Sequence, residues 1–276
     1  MPELPEVETT VRHLRDRLVG RSVVRAEVAR SNVVRGSVRR FVDAVEGSTV
    51  VGVERRGKFI RIDLDDDRVW VCHLRMSGKF RFVPSSAGRG ERYVRAVFHL
   101  DDGGRLLYVD PRTLGEMEVV DPEAWASRAS SLGPEPLDPD FTPALLRERL
   151  ERTRRPVKRA LLDQSVVAGL GNIYVSEALW RARISPRRRG ANLGARRAER
   201  LRDAIVSVLQ EALEGGGTSL GATWLNFADA EGTRGRFSEF LDVYGREGEA
   251  CPRCGEDIRR IVQGQRATWY CPTCQR

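Results

Sequence analysis

Apolar positions in the first eighteen residues recur at helical spacing. Val7, Val11, Leu14 and Leu18 repeat at intervals of three or four residues, and three glutamates stand near the start. Acidic side chains are favoured there because the amino-terminal end of a helix dipole is positive. The pattern predicts an amphipathic helix over residues 1–18.

From Ser22 to Val120 the apolar positions alternate in short runs, which Gly and Asp clusters separate. Alternation with a period of two is typical of half-buried strands joined by tight turns. Many short strands of this kind indicate an antiparallel sandwich or barrel. The predicted strands cover residues 22–28, 48–53, 58–64, 69–74, 79–83, 93–100, 105–109 and 116–120.

A stretch rich in proline over residues 121–142 separates these strands from a region of helical periodicity, and we expect a domain boundary within it. Three glycines, Gly215–Gly217, should end the last helix, because glycine readily adopts the left-handed backbone found beyond helix ends. Residues 218–240, rich in Gly, Thr and Asp, are predicted to form a mobile loop. The predicted helices cover Ala144–Leu150, Val157–Val167, Val175–Arg183 and Ala198–Leu213.

The net charge of +8 on the 276 residues lies entirely in the second half of the chain. Residues 1–140 carry 23 basic and 23 acidic side chains, whereas residues 141–276 carry 24 and 16. A basic region joined to a neutral one favours a polyanion-binding module, with nucleic acid the commonest partner. On charge alone a solvated basic surface is an equal alternative.

No apolar run reaches the ~20 residues that a membrane-spanning helix needs, and the chain does not open with a signal-peptide pattern. We therefore expect a cytoplasmic, nucleoid-associated protein with no membrane partner.

Four of the five cysteines form two C-x2-C pairs, Cys251–Cys254 and Cys271–Cys274, with 16 residues between the pairs. Each pair can place two thiolates on one tetrahedral ion, and the intervening residues are long enough for a β-hairpin. Two disulfides are the alternative, which a reducing cytosol disfavours. We predict one structural Zn²⁺ ion. Cys72, alone in a predicted strand, is expected to be a small buried apolar residue.

The chain begins Met1-Pro2-Glu3-Leu-Pro-Glu6. A small second residue normally permits removal of the initiator methionine, which would expose the secondary amine of Pro2. An α-amino group titrates near ~8, so part of it is a neutral nucleophile at physiological pH. Glu3 and Glu6 stand beside it for proton transfer. The simpler interpretation is that these carboxylates only complement a helix dipole.

Two further segments suggest contacts with an anion. Gly169-Leu-Gly-Asn-Ile-Tyr174 lies between two helical patterns, and its glycines permit a sharp turn with backbone amides exposed at a helix start, a geometry that binds phosphate. A packing corner between helices is the alternative. Residues 263–270, between the cysteine pairs, would present Arg266 at a hairpin tip, where it could reach DNA or remain solvated.

Taken together, the chain resembles the formamidopyrimidine-DNA glycosylase family, whose sister branch is endonuclease VIII. The resemblance runs nearly from end to end. It rests on Pro2-Glu-Leu-Pro-Glu-Val-Glu-Thr9, Arg55-Arg-Gly-Lys58, His73-Leu-Arg-Met-Ser-Gly78, Asp110-Pro-Arg112, Leu132-Gly-Pro-Glu-Pro136, Gly171-Asn-Ile-Tyr-Val-Ser-Glu177, Val243-Tyr-Gly-Arg246 and the final cysteine hairpin.

The resemblance implies an α+β fold with DNA bound between two lobes. An N-terminal antiparallel β-sandwich flanked by helices would occupy residues 1–131, a helix–two-turn–helix bundle residues 132–241, and a zinc-finger β-hairpin residues 242–276. It also implies a monomer that binds double-stranded DNA containing damaged bases.

The family's catalytic roles fall on four residues of this chain. By resemblance, Pro2 is the nucleophile that forms a Schiff base with the sugar, and Glu3 is the acid that assists ring opening and base loss. Lys58 matches the lysine that contacts phosphate and donates a proton in β-elimination, and Arg266 the finger arginine tied to δ-elimination. The DNA-binding residues implied in the same way are Glu6, His73, Met76, Arg112, Leu114, Arg154, Lys158 and Asn172.

The implied activity is that of a bifunctional DNA glycosylase and abasic-site lyase acting on oxidised purines. Two positions depart from the family pattern: Leu114 stands where the purine-specific branch usually has phenylalanine, and no histidine leads into the strand at Tyr93. A preference for oxidised pyrimidines is therefore an alternative. A non-catalytic protein that binds damaged DNA is another, although it would be expected to lack Pro2, Glu3 or Lys58.

Overall fold

The structure is a computed structural model that describes residues 2–84, 91–218 and 237–276. It divides into two compact units. The first, called here the sheet unit, comprises residues 1–130 with 215–238. The second, called the helical unit, comprises residues 131–214 with 239–276. The division into three domains stays a prediction.

The sheet unit contains two four-stranded antiparallel sheets. Apolar residues from the inner faces of both sheets form one core, which includes Trp70, Phe98 and Tyr108. This is the expected β-sandwich, and all eight predicted strands are confirmed. The first sheet has the order β1 (Val23–Val28), β6 (Val94–Leu100), β7 (Arg105–Val109), β5 (Lys79–Val83), and the second β2 (Val50–Arg56), β3 (Phe59–Leu64), β4 (Val69–His73), β8 (Glu116–Val120).

Three helices accompany the sandwich. Helix α1 (Leu4–Leu18) is the predicted amphipathic helix and buries its apolar stripe in the shared core. Helix α2 (Val38–Val45), which the sequence pattern did not predict, packs Phe41 against Trp70. Helix α3 (Pro122–Ser130) was also not predicted, and its Trp125 covers the outer face of the second sheet through Val69 and Val71.

The helical unit contains four α-helices and a two-stranded antiparallel hairpin among its described residues. Helix α7 (Ala195–Glu214) packs against both α4 (Pro143–Glu151) and α6 (Asn172–Arg181). The predicted helix from Val157 extended too far, because Asp163 and Gln164 organise a turn directly after Leu161. The elements are α4 (Pro143–Glu151), α5 (Val157–Leu161), α6 (Asn172–Arg181), α7 (Ala195–Glu214), β9 (Arg259–Gln263) and β10 (Arg266–Tyr270).

Helix α7 ends at Glu214, directly before the three glycines, as predicted. Most of the predicted mobile loop, residues 219–236, lies outside the described residues. In the described part of the chain, no helix combines the length and the apolar character needed to cross a bilayer.

Candidate active site and nucleic-acid interface

The amino-terminal end of α1 holds Glu3 and Glu6 in a reciprocal arrangement. The Glu3 N–H donates to Glu6 Oε2 at 2.8 Å, and the Glu3 carboxylate accepts from the Glu6 N–H, which together form a capping box. The other carboxylate oxygen of Glu6 accepts from the Thr218 N–H at 2.7 Å. Pro2, Glu3 and Glu6 are all buried. Glu6 therefore fixes the chain start to the residues that follow α7.

A partly buried ion pair joins α1 to the turn that carries Lys58. Arg55 donates from Nε to Glu8 at 2.9 Å and from Nη1 to the Gly57 carbonyl at 3.0 Å. Gly57 has a φ of 57°, a backbone conformation that glycine adopts without strain. Lys58 follows it and is only 7% exposed. The motif Arg55–Lys58 thus positions a lysine relative to α1, the helix that Glu3 caps.

His73 lies next to this turn, because the strand pairing sets Phe59 opposite His73. Its ring stands edge-on to the Phe59 ring, with 4.8 Å between the centroids. Burial, reinforced by the positive charges of Arg75 and Lys58, lowers the pKa of His73 to about 3. The imidazole is therefore neutral at physiological pH, and its Nδ1 accepts from the Arg75 N–H at 3.0 Å.

Two loops of the sheet unit carry three of the expected DNA-binding residues. Met76 lies between β4 and β5, while Arg112 and Leu114 lie between β7 and β8. Leu114 is 45% exposed, an unusual position for a large apolar side chain. An exposed apolar group beside an exposed arginine suits insertion into a base stack.

The fully buried carboxylate of Asp110 ties these two loops together. Its Oδ1 accepts from the Ser77 hydroxyl and from the Arg112 N–H, the latter at 3.1 Å. Its Oδ2 accepts from the Leu114 and Gly115 N–H groups, both at 2.8 Å. Asp110 belongs to the Asp110-Pro-Arg112 motif, in which the sequence alone indicates no role for it. The structure shows that it shapes the loop on which Arg112 and Leu114 stand.

The Tyr108 hydroxyl explains why each loop ends on a glycine. A Cβ at Gly78 would lie 2.3 Å from this oxygen, and a Cβ at Gly115 would lie 1.6 Å from it. Neither distance is tolerable, so both positions exclude any side chain. Burial raises the pKa of Tyr108 well above its usual value, and the phenol stays neutral.

Replacing Asp110 by asparagine should disturb the loop. One acceptor oxygen becomes an amide that faces backbone donors, so we expect a loss of about 2–4 kcal/mol in the free energy of unfolding. Affinity for a lesion duplex should fall as well. Urea unfolding and fluorescence anisotropy measure the two effects, with the exposed Asp43→Asn as the control. Unchanged stability together with unchanged affinity would remove Asp110 from this role.

In the helical unit, Gln164 organises the turn between α5 and α6. Its Oε1 accepts from the Gly169 N–H at 2.9 Å, and its Nε2 donates to the carbonyls of Leu162 and Leu170. Gly169 has a φ of 82°, so glycine is needed at this point. The turn delivers Asn172 to the first position of α6, where backbone amides favour an anion.

Lys158 and Asn172 meet at the same carbonyl of the hairpin. Lys158 Nζ donates to Ala267 O at 2.9 Å and to Thr268 Oγ1 at 2.8 Å, and Asn172 Nδ2 donates to Ala267 O at 3.0 Å. Lys158 is fully buried. Lys158, which was expected to contact DNA, is thus buried against the hairpin, where its ammonium supports the strand that begins with Arg266.

The hairpin tip is a two-residue turn. Gly264 and Gln265 have φ values of 54° and 62°, and Arg266 pairs with Gln263 across the strands. Two successive residues with positive φ are typical of the tight turns that join antiparallel strands. Arg266 is exposed at this tip, as expected, and Arg154 is exposed on the same unit.

The four cysteines converge as predicted, with all their sulfur atoms within 4.8 Å of one another. The Sγ–Sγ distances are 4.0 Å for Cys251–Cys274 and 3.5 Å for Cys254–Cys271. Thiolates bound to one tetrahedral Zn²⁺ at ~2.3 Å lie ~3.8 Å apart, so the group fits one zinc ion. With four protein ligands the site is closed and structural.

Trp180, on α6, supports this metal site. The Trp180 indole N–H donates to Cys251 Sγ at 3.4 Å. Burial acts to raise the pKa of Cys251, but hydrogen bonds from Trp180 and from backbone amides outweigh it and lower that pKa to about 6. This environment stabilises the thiolate that a zinc ion requires. Cys72 is fully buried in the sheet unit, which raises the pKa of its thiol, and it packs as an apolar residue.

Glu177 is a second buried carboxylate that sequence reasoning left without a role. It accepts N–H bonds from Asp242, Val243 and Tyr244, at 2.9, 3.1 and 2.8 Å. Burial raises its pKa, although these three bonds act in the opposite direction. Glu177 therefore anchors the segment that leads into the zinc finger to α6. Glu177 ends the motif Gly171–Glu177, and Val243 begins the motif Val243–Arg246. These two motifs are the sequence signal that could have indicated the contact between Glu177 and this segment.

The predicted site residues fall into two groups. The sheet unit carries Pro2, Glu3, Glu6, Lys58, His73, Met76, Arg112 and Leu114. The helical unit carries Arg154, Lys158, Asn172, Arg266 and the four cysteines.

Comparisons with known proteins agree with this arrangement. Residues 1–117 match the family model of the formamidopyrimidine-DNA glycosylase N-terminal domain, residues 132–223 that of the H2TH domain of the same glycosylase, and residues 248–276 a zinc finger found in FPG and IleRS. The formamidopyrimidine-DNA glycosylase of Geobacillus kaustophilus is 44% identical over 280 residues, covering 100% of both chains.

Two solved structures of the Lactococcus lactis FPG are similar to this chain over its whole length. A variant in complex with Fapy-dG-containing DNA has a TM-score of 0.92 and 36% identity, covering 100% of each chain. A complex with DNA containing an abasic site has a TM-score of 0.90 and 36% identity, covering 99% of each chain.

Three features define the class of this enzyme: the β-sandwich with a capped Pro-Glu segment at its start, the helix–two-turn–helix module and the four-cysteine zinc finger. The class is that of the DNA glycosylases of base excision repair that contain a zinc finger. Within that class, the chain belongs to the formamidopyrimidine-DNA glycosylase family.

Proposed function

We propose that the protein excises oxidised purines, namely 8-oxoguanine and formamidopyrimidines, from double-stranded DNA and then cuts the strand at the abasic site. The observation that carries the proposal is the start of α1, where the capping box fixes Glu3, the residue that directly follows Pro2 in the chain. The Fapy-dG and abasic-site complexes of the Lactococcus lactis relative support the substrate class.

The chemistry begins with removal of Met1, since only then is the Pro2 nitrogen an amine. Its lone pair attacks C1′, the base leaves with the electrons of the glycosidic bond and takes a proton from water, and the Pro2 nitrogen passes its own proton to the Glu3 carboxylate. Glu3 gives a proton to O4′ as the sugar ring opens, which leaves an iminium between Pro2 and C1′. A secondary amine forms this cation without losing a second proton.

The iminium makes the C2′ proton acidic. Its removal forms a C2′–C3′ double bond and expels the 3′ phosphate in β-elimination, and a second elimination expels the 5′ phosphate. Lys58 contacts the phosphate and donates a proton in the first step, and Arg266 assists the second. Glu6, His73 and Arg154 complete the DNA contacts of the proposal, with Asn172 holding a phosphate at the start of α6.

The direct test is product analysis on duplexes that each contain one defined lesion. Excision of 8-oxoguanine and formamidopyrimidines, followed by ends with phosphate at both sides of a gap, is expected. Faster excision of oxidised pyrimidines would assign the protein to the alternative substrate class. Binding without any excision would leave only a damaged-DNA-binding protein.

The protein is further proposed to act as a monomer on chromosomal DNA in the cytoplasm. The fit of the whole chain to relatives solved as complexes with damaged DNA supports the DNA partner. Sedimentation of the free protein and of its DNA complex tests the monomer, and a second copy in the complex would contradict it.

Lys58 should act through phosphate contact and elimination. Because one cationic contact to DNA is lost, Lys58→Ala should reduce the slope of log affinity against log salt by about 1, and strand cleavage should slow. Lys79→Ala provides a matched control, since Lys79 is a half-buried lysine elsewhere in the sheet unit. Equal slopes and equal cleavage in Lys58→Ala and the native protein would contradict the assignment.

Leu114 should set part of the lesion preference. Leucine stacks less well than phenylalanine on exposed bases, so Leu114→Phe should raise the ratio of purine to pyrimidine lesion excision by about threefold or more, on the scale of one aromatic contact of 0.5–1.5 kcal/mol. The ratio of single-turnover rates on the two lesion types measures this. Val24→Phe, at another exposed apolar position, is the control. A ratio that does not move would exclude Leu114 from recognition.

A further inference from the structure

A cavity of about 480 Å³ lies within the helical unit beside the zinc finger. Its walls come from the second residue after α6, the first turns of α7 and both cysteine turns. We name it the arginine pocket. The side chains that define it are Arg183, Arg197, Arg200, Arg253 and Arg276.

The five guanidinium groups have no acidic side chain as a partner in the described part of the chain. Among the described residues, none of them lies within 4.0 Å of a carboxylate, whereas several other arginines of the helical unit do, such as Arg147 with Glu151. Five like charges around one cavity repel one another, and a bound anion relieves that repulsion.

Three of the arginines are held in place by backbone carbonyls. Arg200 donates to Ala182 O, Arg253 to Trp180 O and Arg276 to Thr273 O, at 3.3, 3.1 and 3.3 Å. The Arg253 guanidinium also stacks on the Trp180 ring, 4.0 Å from its centroid. These bonds orient the groups and leave their charge unneutralised. Each still has N–H donors available for a ligand.

Two structural roles explain only some of the five arginines of the pocket. Arg200 and Arg253 bond carbonyls at the end of α6, where a helix dipole favours cations. The zinc tetrathiolate, which carries a formal charge of −2 and contributes Cys274 to the cavity wall, offsets two positive charges. Arg183 and Arg197 make no side-chain hydrogen bond among the described residues, and neither role requires them.

The pocket is separate from the groups already assigned to lesion DNA. Asn172 begins α6 and contacts the hairpin next to Arg266, whereas Arg183 follows the opposite end of that helix. Ten residues of helix span ~15 Å. A phosphate held by Asn172 therefore leaves the arginine pocket open to another anion.

We propose that the arginine pocket binds phosphate groups of a second DNA segment, distinct from the duplex that carries the lesion. Arginine forks pair with phosphate oxygens in bidentate fashion, and the Thr273 hydroxyl on the cavity wall adds a neutral donor. An enzyme that works on DNA meets other segments of the same polymer continuously. Capture of one of them would let the protein transfer between segments without first dissociating into solution.

The test is a competitor-driven dissociation assay with the full-length, zinc-loaded protein. A fluorescent duplex with a non-cleavable abasic analogue is bound first, and unlabelled undamaged duplex is added at rising concentration and constant ionic strength. The double variant Arg183→Ala/Arg197→Ala removes two pocket charges. Its matched control, Arg189→Ala/Arg196→Ala, removes two exposed arginines of the same unit that do not line the pocket.

With direct transfer, the dissociation rate of native protein and control should rise in proportion to competitor concentration. In the pocket variant, the slope of dissociation rate against competitor concentration should be lower by about fivefold or more, because two phosphate contacts are gone. Its affinity for the labelled duplex and its excision of a lesion without competitor should match the control. Failure of the proposed function would instead appear as absent excision in every protein.

Three results would overturn the proposal. The first is a dissociation rate of the native protein that does not change with competitor DNA concentration. The second is an equal dependence on competitor in the pocket variant and the control. The third is faster dissociation of the native protein with polyglutamate but not with DNA. The last result would assign the pocket to an acidic peptide instead of nucleic acid.

Discussion

Borohydride should trap the protein covalently on lesion-containing DNA, with the crosslink at residue 2. The iminium formed by a proline amine is reducible, whereas a simple base-hydrolysing glycosylase forms no such adduct. The expected adduct joins the Pro2 nitrogen to C1′ of the sugar, and peptide mapping after nuclease digestion locates it.

Pro2→Gly should reduce trapping by about a hundredfold, since a primary amine must lose a second proton and loses the rigid ring that aims it. Pro5→Ala is the matched control, because Pro5 lies in the first turn of α1 and is not the terminal amine. Trapping by a protein whose amino terminus is blocked, or a crosslink at Lys58, would overturn the mechanism.

Glu3→Gln separates the two activities. Base removal should stop because the amide cannot give a proton to the ring oxygen, while cleavage of a preformed abasic site should continue in part. The glutamine oxygen still accepts the Glu6 N–H, so the start of α1 should stay folded. Equal loss of both activities would indicate damage to the site instead of loss of an acid.

Loss of the zinc site should abolish DNA binding. Metal binding contributes on the order of 10 kcal/mol to folding a small finger, and without it the hairpin that presents Arg266 should melt. Cys254→Ser or Cys271→Ser should therefore lower lesion-duplex affinity by about a hundredfold or more, with zinc content below one per chain.

Cys72→Ala is the control for the zinc prediction, because it removes the one cysteine outside the finger and should retain both zinc and binding. Full activity in protein shown by metal analysis to contain no zinc would contradict a structural ion. Unchanged DNA affinity of Cys271→Ser would likewise show that the hairpin does not contribute to DNA binding.

Much of the fold and part of the site could be predicted from local patterns. A period of two in apolar positions reports which face of a strand is buried, so all eight strands of the sheet unit were predicted correctly. The C-x2-C spacing works in the same way, because two ligands in one tight turn need no distant partner. The proposed amine of Pro2 could also be predicted, because it depends only on Pro2 being the second residue of the chain.

Short helices were missed where local signals conflict. In α2, Val38, Phe41, Val42 and Val45 have helical spacing, but β-branched residues favour strands and the segment is only eight residues long. In α3, a leading proline and a nearby cluster of prolines favour a loop, although Trp125 is held by the outer face of a sheet.

The roles of buried polar residues were decided by tertiary structure alone. Lys158 bonds a strand 109 residues away, Glu177 receives amides 65 to 67 residues away, and Asp110 joins Ser77 across 33 residues. A periodic pattern shows that a position is buried but not which distant group faces it. Because a buried charge is stable only when specific donors or acceptors meet it, the partner determines its function, and the folded chain alone supplies that partner.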